Sequence, residues 1–370
     1  MAKTALLVGG TAATGMAIAA EISKRGYDLT IYHRGTHEVP SVMGYEHIHG
    51  DPHFTETIQQ DLGDRKFDLV VATYGRIRLI AEHLVGKTGR LITVGGSPVA
   101  KKLPGLPGYE SDGYIEEPSR LVDRMIETEQ RVIGLGAEGH YVSTVIRYPY
   151  VYGPYSIISP EWHVIKRVHD NRKRWLMPGG GMGISTRIAS PNAAHVIGLA
   201  IDKPEAAGGQ IYQAAEDKQY SFRDWTAMTA KLMGYEFEFV DVPWAVMPPP
   251  PEPGTTFGNT TFSAVPAGGG PRSSTMLSNF KTKLELGYAD IVDHEEWMKQ
   301  TIEYWLANPP AVDGEGNHMK PEEFDYAAED QLLAWWDSVV ASIPRDVGTS
   351  VSHRHPYPHP KAPGEQPEGS

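Results

Sequence analysis

The chain has 370 residues, 40% of them apolar, which excludes global disorder and at this length suits two to three domains. Its net charge is −12, from 34 Lys and Arg against 46 Asp and Glu, which argues against a general nucleic-acid binder; no apolar run nears the roughly 18 residues of a membrane span. Cysteine is absent, excluding disulfides, thiolate metal sites and a Cys nucleophile, and with no secretory leader read at the start we expect a soluble cytoplasmic protein.

Through the first 150 residues, short apolar runs alternate with helical stretches. Strands are predicted over 5–8, 29–32, 67–73, 90–94 and 144–147, with a helix over 15–24. Continuous apolar strands separated by helices imply a parallel sheet covered on both faces, a doubly wound α/β fold. Further on, helices are predicted over 162–170, 191–201 and 221–233, the last started by a Ser cap, and strands over 210–214 and 237–242. A stretch of Pro, Gly, Thr and Ser over 243–272 reads as a long loop. Helices over 295–306 and 322–341 follow, then a His/Pro tail over 346–370 without periodicity.

The strongest chemical signal is the turn Gly9-Gly10-Thr11-Ala12-Ala13-Thr14-Gly15, lying between the first strand and the first helix. Small residues let the backbone turn tightly, approach a pyrophosphate and pack helix on strand, while the helix N-terminus offers free N–H groups to the anion. The second strand ends Tyr32-His33-Arg34-Gly35, with no acid to take a ribose 2′-hydroxyl and with an Arg in reach. A guanidinium suits a 2′-phosphate, which points to NADP (NADPH). Asp51, after the presumed third strand, is placed to reach an adenine amino group, and Ala72 and Thr73, at the end of the fourth strand, are further cofactor-binding candidates.

The opening turn to Gly15, the basic His33-Arg34-Gly35 and the segment Arg147-Tyr148-Pro149-Tyr150-Val151-Tyr152-Gly153-Pro154 resemble landmarks of the extended short-chain dehydrogenase/reductases, the NAD-dependent epimerase/dehydratase family. Residues 188–196, Tyr220-Ser221-Phe222 and 283–288 are similar to later landmarks, so the resemblance covers residue 1 to about 307. It implies a Rossmann domain over 1–155, with 186–215 returning to it, and a smaller mixed α/β substrate region over 156–307. A helical extension over 308–345 and the tail 346–370 lie beyond it. It also implies that Tyr148 and Tyr150 lie near the nicotinamide. A homodimer through the helix around residues 121–133 is expected by the same analogy.

The family's redox chemistry uses a Tyr and a Lys four residues later on one helix, with a Ser or Thr after the fifth strand. Taking Glu129 as the acidic residue usual downstream, those two positions fall here on Leu121 and Met125, and no Tyr-x-x-x-Lys fits. Candidates for a relocated proton donor are Tyr114, before that helix, and Tyr74, at the end of the fourth strand, with Ser97 as a hydrogen-bonding aid. Arg120 and Arg124 are placed to supply the missing positive charge. Arg167, Arg172, Lys173 and Arg174 form a basic cluster that either meets a substrate phosphate or carboxylate or is a solvated helix end. The tail histidines His353, His355 and His359 read as solvated in preference to metal-binding.

The expected function is an NADP-dependent oxidoreductase or redox-type isomerase acting on a small organic carbonyl or alcohol. The alternatives are a non-redox lyase, hydratase or isomerase in the same cleft, or a non-catalytic NADP-binding sensor. No nucleic-acid or membrane partner is expected.

Overall fold

Strand β1 (Lys3–Val8) sets the architecture, because it is apolar on both faces. Ala5 and Leu7 enter one buried cluster and Leu6 and Val8 another, as the two-residue period of a strand requires. The computed structural model describes residues 2–101, 105–156, 160–247, 275–310 and 324–344, with 348, 362 and 363. Residues 248–272 of the Pro/Gly loop anticipated over 243–272, and nearly all of the tail, lie outside the described residues. Two compact units divide the chain, Met1–Glu329 and Asp330–Ser370.

After β1 come α1 (Ala13–Lys24), β2 (Tyr27–His33), β3 (Glu46–His49), α2 (Thr55–Leu62), β4 (Leu69–Ala72), α3 (Ile77–His83), β5 (Arg90–Gly96), α4 (Arg120–Ala137) and β6 (Val142–Tyr148). These are followed by β7 (Tyr150–Tyr152), α5 (Pro160–His169), β8 (Arg174–Pro178), β9 (Arg187–Ala189), α6 (Ser190–Asp202), α7 (Pro204–Ala207) and β10 (Gln210–Gln213). The remaining elements are α8 (Phe222–Leu232), β11 (Glu238–Val242), α9 (Phe280–Leu286), α10 (His294–Ala307) and α11 (Tyr326–Ser342). All the strands predicted from sequence are present, with ends shifted by up to two residues. Ser221 caps α8 as expected, its hydroxyl accepting from the Asp224 N–H at 3.1 Å.

Seven parallel strands form the main sheet in the order β10-β6-β5-β4-β1-β2-β3. The chain winds outward from β1 to β3, then crosses back to β4 on the other side of β1. The order reverses at β1 and β4, and in open sheets of this kind ligands bind outside the strand carboxyl ends at such a point. One face packs against α1 and α6 through Ile18, Ile22, Val196 and Ile197; the other packs against α2, α3 and α4 through Ile58, Ile80 and Val132. A separate core joins α5, β8, α8 and α10, centred on Trp175, Trp225, Met298 and Ile302. Two parallel strand pairs, β7 with β9 and β8 with β11, accompany it.

The turn after β1 has the geometry its composition promised. Gly9 and Gly10 sit at φ +109° and +112°, where side-chain-bearing residues are strained. A Cβ on Gly15 would lie 2.4 Å from the Gly10 Cα, so α1 packs directly on the turn backbone. Gly15→Ala is expected to cost about 1–3 kcal/mol, the usual range for overpacking, read as a lower urea midpoint at unchanged slope. A variant as stable as the parent would mean that the turn yields to the methyl group.

Candidate active site

Three groups of side chains collect at the carboxyl ends of the central strands. The first surrounds the glycine turn. Helix α1 starts at Ala13 with Ala12 as its N-cap, without a side-chain cap and without an acidic residue in its first turn. Its N-terminus thus presents backbone donors and the positive dipole end with no built-in anion, which fits a dinucleotide pyrophosphate. Thr73 closes the other side, its N–H and hydroxyl both donating to the Val8 carbonyl at 3.0 Å. Thr11 and Thr14 are half-buried in this turn, and Ala72 is buried at the end of β4.

The second group spans the ends of β2, β3 and β4. The exposed Arg34 guanidinium lies 5.6 Å from the centre of the Tyr74 ring, and the His53 ring meets the other partner of that pair edge-on at 5.0 Å. Asp51 accepts from the His53 backbone N–H at 3.0 Å, and its Oδ1 lies 2.6 Å from His53 Nδ1. Desolvation pushes the Asp51 carboxyl up, but the His53 bonds and the Arg34 charge outweigh it and hold the carboxyl below its usual range. Tyr74 therefore stands in the Arg34 group. The His33 ring turns instead toward β3, with Nε2 2.8 Å from His47 Nδ1.

The third group lies where β5 and β6 end. Arg147 on β6, in register with Gly95 on β5, donates to both oxygens of Glu129 on α4: Nε to each at 3.1 Å and Nη2 to Oε2 at 2.9 Å. Each side chain of the pair is only 2% exposed. A Cβ on Gly95 would lie 2.8 Å from the Glu129 Oε1, and one on Gly96 would lie 2.6 Å from the Met125 Cε, so the two glycines make room for α4. The Tyr114 ring covers Arg147, with the guanidinium 5.1 Å from the ring centre.

The Tyr114 loop is held from several sides. Ile115 N–H donates to Val99 O at 3.0 Å, Gly108 N–H to Met276 O at 2.7 Å, and Gln213 N–H to the Glu110 carboxylate at 2.8 Å. Burial raises the Tyr114 phenol above its ordinary pKa; the Glu129 carboxylate adds to this and Arg147 opposes it. Desolvation likewise raises the Glu129 carboxyl, with the Arg147 bonds and charge pulling the other way. Half-buried Ser97 opens the short turn after β5 on the same side of the sheet.

The other residues singled out in the sequence take the following positions. Arg120, Arg124 and Leu121 lie on the exposed side of α4, Arg124 beside Glu127 at 3.6 Å, so the buried cation at this site comes from β6. An Arg inside the apolar run of β6 was the available signal, since a buried guanidinium demands a counterion. Tyr148 donates to Ala193 O at 2.9 Å, Tyr150 reaches Glu161 Oε2 at 3.5 Å, and Tyr152 donates to Glu216 Oε1 at 3.0 Å. Burial raises all three phenols. Of the α4 residues expected at a dimer contact, Val122, Ile126 and Val132 are buried within this chain.

The basic cluster is largely engaged within the chain. Arg167 is 1% exposed, with its guanidinium 4.5 Å from the Trp175 ring centre and 3.8 Å from Glu329. Arg172 pairs with Glu329 at 3.4 Å, Arg174 with Glu238 at 3.1 Å, and Lys173 donates to Glu236 O at 2.5 Å. Glu161, Arg187 and the hub formed by Glu216, Asn192 and His294 are buried polar groups that the sequence reading did not single out.

Glu129→Ala strands the Arg147 guanidinium in the interior and is expected to cost about 3–5 kcal/mol in urea unfolding. Replacing the pair together, Glu129→Leu with Arg147→Met, should recover most of that loss. A single variant within about 1 kcal/mol of the parent would show that water reaches the pair.

No protein-family model matches this sequence, and the comparison with curated proteins gives no match. Solved structures do match in three dimensions. UDP-glucose 4-epimerase from Thermotoga maritima, solved with UDP-glucose, superposes with a TM-score of 0.66 at 16% identity over 82% of this chain and 99% of its own. An epimerase from Methanothermobacter thermautotrophicus gives 0.67 at 14% identity over 83% and 93% of the two chains. The dTDP-glucose 4,6-dehydratase of Bacillus anthracis, in complex with NAD, gives 0.65 at 13% identity over 83% and 98%. With its seven parallel strands, glycine turn and second core, the chain shares the fold of these epimerases and dehydratases.

Proposed function

We propose that this protein is an NADP(H)-dependent oxidoreductase or redox-type isomerase acting on a small organic carbonyl or alcohol, with Tyr114 as its proton donor. The observation that carries this reading is the placement of Tyr114 over the buried Arg147–Glu129 pair, at the carboxyl end of β5. Sites in sheets of this kind lie at the carboxyl ends of the strands.

The glycine turn and the N-terminus of α1 would hold the pyrophosphate, and Arg34 would meet the 2′-phosphate. The bound nicotinamide supplies or accepts the hydride. Tyr114, its pKa raised, keeps its proton at neutral pH and is suited to give it to a carbonyl oxygen as that oxygen becomes an alkoxide. Arg147 fixes the ring from below and draws off part of the negative charge left on the phenol. Helix α4 contains neither Tyr nor Lys, so this guanidinium takes the place of an ammonium there. Glu129 holds the guanidinium in position. With Arg167, Arg172 and Arg174 engaged in internal contacts, the described residues favour a small uncharged substrate over a nucleotide sugar.

Fluorescence titration with NADPH and NADH tests the cofactor assignment. NADPH is expected to bind at least about tenfold tighter, roughly 1.4 kcal/mol, and Arg34→Ala should abolish the difference. Equal affinities in the parent would remove the 2′-phosphate role. Tyr114→Phe should lower kcat for NADPH-dependent carbonyl reduction by about 10²–10⁴ while leaving NADPH affinity in place. Because the protonated phenol is the working form and burial raises its pKa, the parent's reduction rate should hold through neutral pH. It should fall only above the ordinary tyrosine value of about 10. An unchanged kcat in the Phe variant would eliminate Tyr114.

A further inference from the structure

The ends of β2 and β3 carry a second constellation that the proposed reaction does not use. His33 on β2 is paired in register with His49 on β3, and Ile31 with His47. The two-residue period therefore sets all three imidazoles on one face of the sheet. Glu38, from the segment joining these strands, completes the group. Its four ligand atoms lie within 4.8 Å of one another.

We propose that His33, His47, His49 and Glu38 form a binding site for a single divalent transition ion of the zinc class. The spacings suit this ion. His33 Nε2 is 2.8 Å from His47 Nδ1, and His49 Nε2 is 3.2 Å from Glu38 Oε1. The two remaining measured edges, from Glu38 to His33 and to His47, are 3.8 and 3.9 Å. Donors about 2.0–2.1 Å from a tetrahedral ion stand roughly 3.3 Å apart, in the middle of that range. Three nitrogens and one carboxylate are a donor set that zinc, cobalt(II) and nickel(II) accept, whereas magnesium and calcium prefer oxygen.

The surroundings prepare these ligands. The outer nitrogen of His47, Nε2, lies 2.9 Å from the Val42 carbonyl; donating there, it leaves the Nδ1 lone pair directed into the cluster. The Gly35 N–H donates to His33 Nδ1 at 3.3 Å, on the side of the ring away from the cluster. His33 is 4% exposed, whereas the side chains of His49 and Glu38 are 57% and 35% exposed, which gives an entry path from solvent.

The full chain, without an affinity tag, is stripped with a chelator and titrated with Zn²⁺ and with Co²⁺. The expected result is one Zn²⁺ per chain retained through gel filtration, and a Co²⁺ complex with the intense visible absorption of a four-coordinate site. His49→Ala and Glu38→Ala, both at exposed positions, should each weaken Zn²⁺ binding by at least about tenfold while leaving the circular dichroism unchanged. Combined replacement of His353, His355 and His359 by Ala should leave binding intact. Failure to retain zinc, loss of the ion with the tail histidines alone, or parent-like affinity in the His49 and Glu38 variants would each overturn the site. All of these readouts are independent of NADP(H) and of turnover.

Discussion

A guanidinium and a carboxylate buried together beneath the end of β5 constrain much of what surrounds them. Neither ion tolerates the interior alone, so Arg147 on β6 and Glu129 on α4 must meet, and their bidentate contact fixes the rotation of α4 against the sheet. That rotation places Val122 and Ile126 against Val99, leaves Arg120 and Arg124 in solvent, and brings the carboxylate so close to β5 that position 95 must be glycine. Tyr114 then has a charged platform to lie on. In the reading proposed above, the proton-transfer group of the site rests on a structural ion pair, and the helix face that carries a Tyr and a Lys in the resembling family is free to be apolar.

A second buried carboxylate organises the other core. Glu216 accepts from Tyr152 on β7 at 3.0 Å, from the Ala189 N–H at the end of β9 at 2.8 Å and from Asn192 on α6 at 3.0 Å. His294, at the start of α10, lies 3.3 Å from its other oxygen. Asn192 also accepts from the N–H groups of Ile291 and Val292 at 2.8 and 3.1 Å, so residues nearly a hundred positions apart in sequence are tied by one amide. Networks of this kind are rigid, because any one member displaced leaves several buried donors unpaired.

What the sequence made legible was what is decided locally. The glycine turn, the apolar strands on either side of it and the Ser cap of α8 each follow from a few neighbouring residues, and all stand where they were read. The strands β7 and β9, three residues each, have no period of their own and exist because each pairs with the other across some 35 residues. The rotation of α4 was ambiguous in sequence because Arg120 and Arg124 have the spacing of a shared face; the partner that settles it lies on β6. The histidine group was hidden for the same reason. His47-x-His49 is visible as an alternation, but only the register of β2 against β3 brings His33 beside it. Residues 167–174 read as a basic cluster facing a substrate or solvent because their partners, the Glu238 and Glu329 carboxylates and the Glu236 backbone carbonyl, come far later in the chain.

That last pairing bears on the order in which the chain can become a folded molecule during synthesis. The resemblance to the extended reductases ends near residue 307, yet the carboxylate that neutralises buried Arg167 belongs to Glu329, and Tyr326 donates to Asp170 at 2.7 Å and stacks under Arg172 at 4.5 Å. While the ribosome has yet to release residue 329, the core around Trp175 holds a guanidinium without this counterion. The seven-stranded sheet draws its strands from residues before 214 and has no such wait. Vectorial synthesis therefore gives the two cores different completion times. The segment beyond the family landmarks acts as the closing step of the second core.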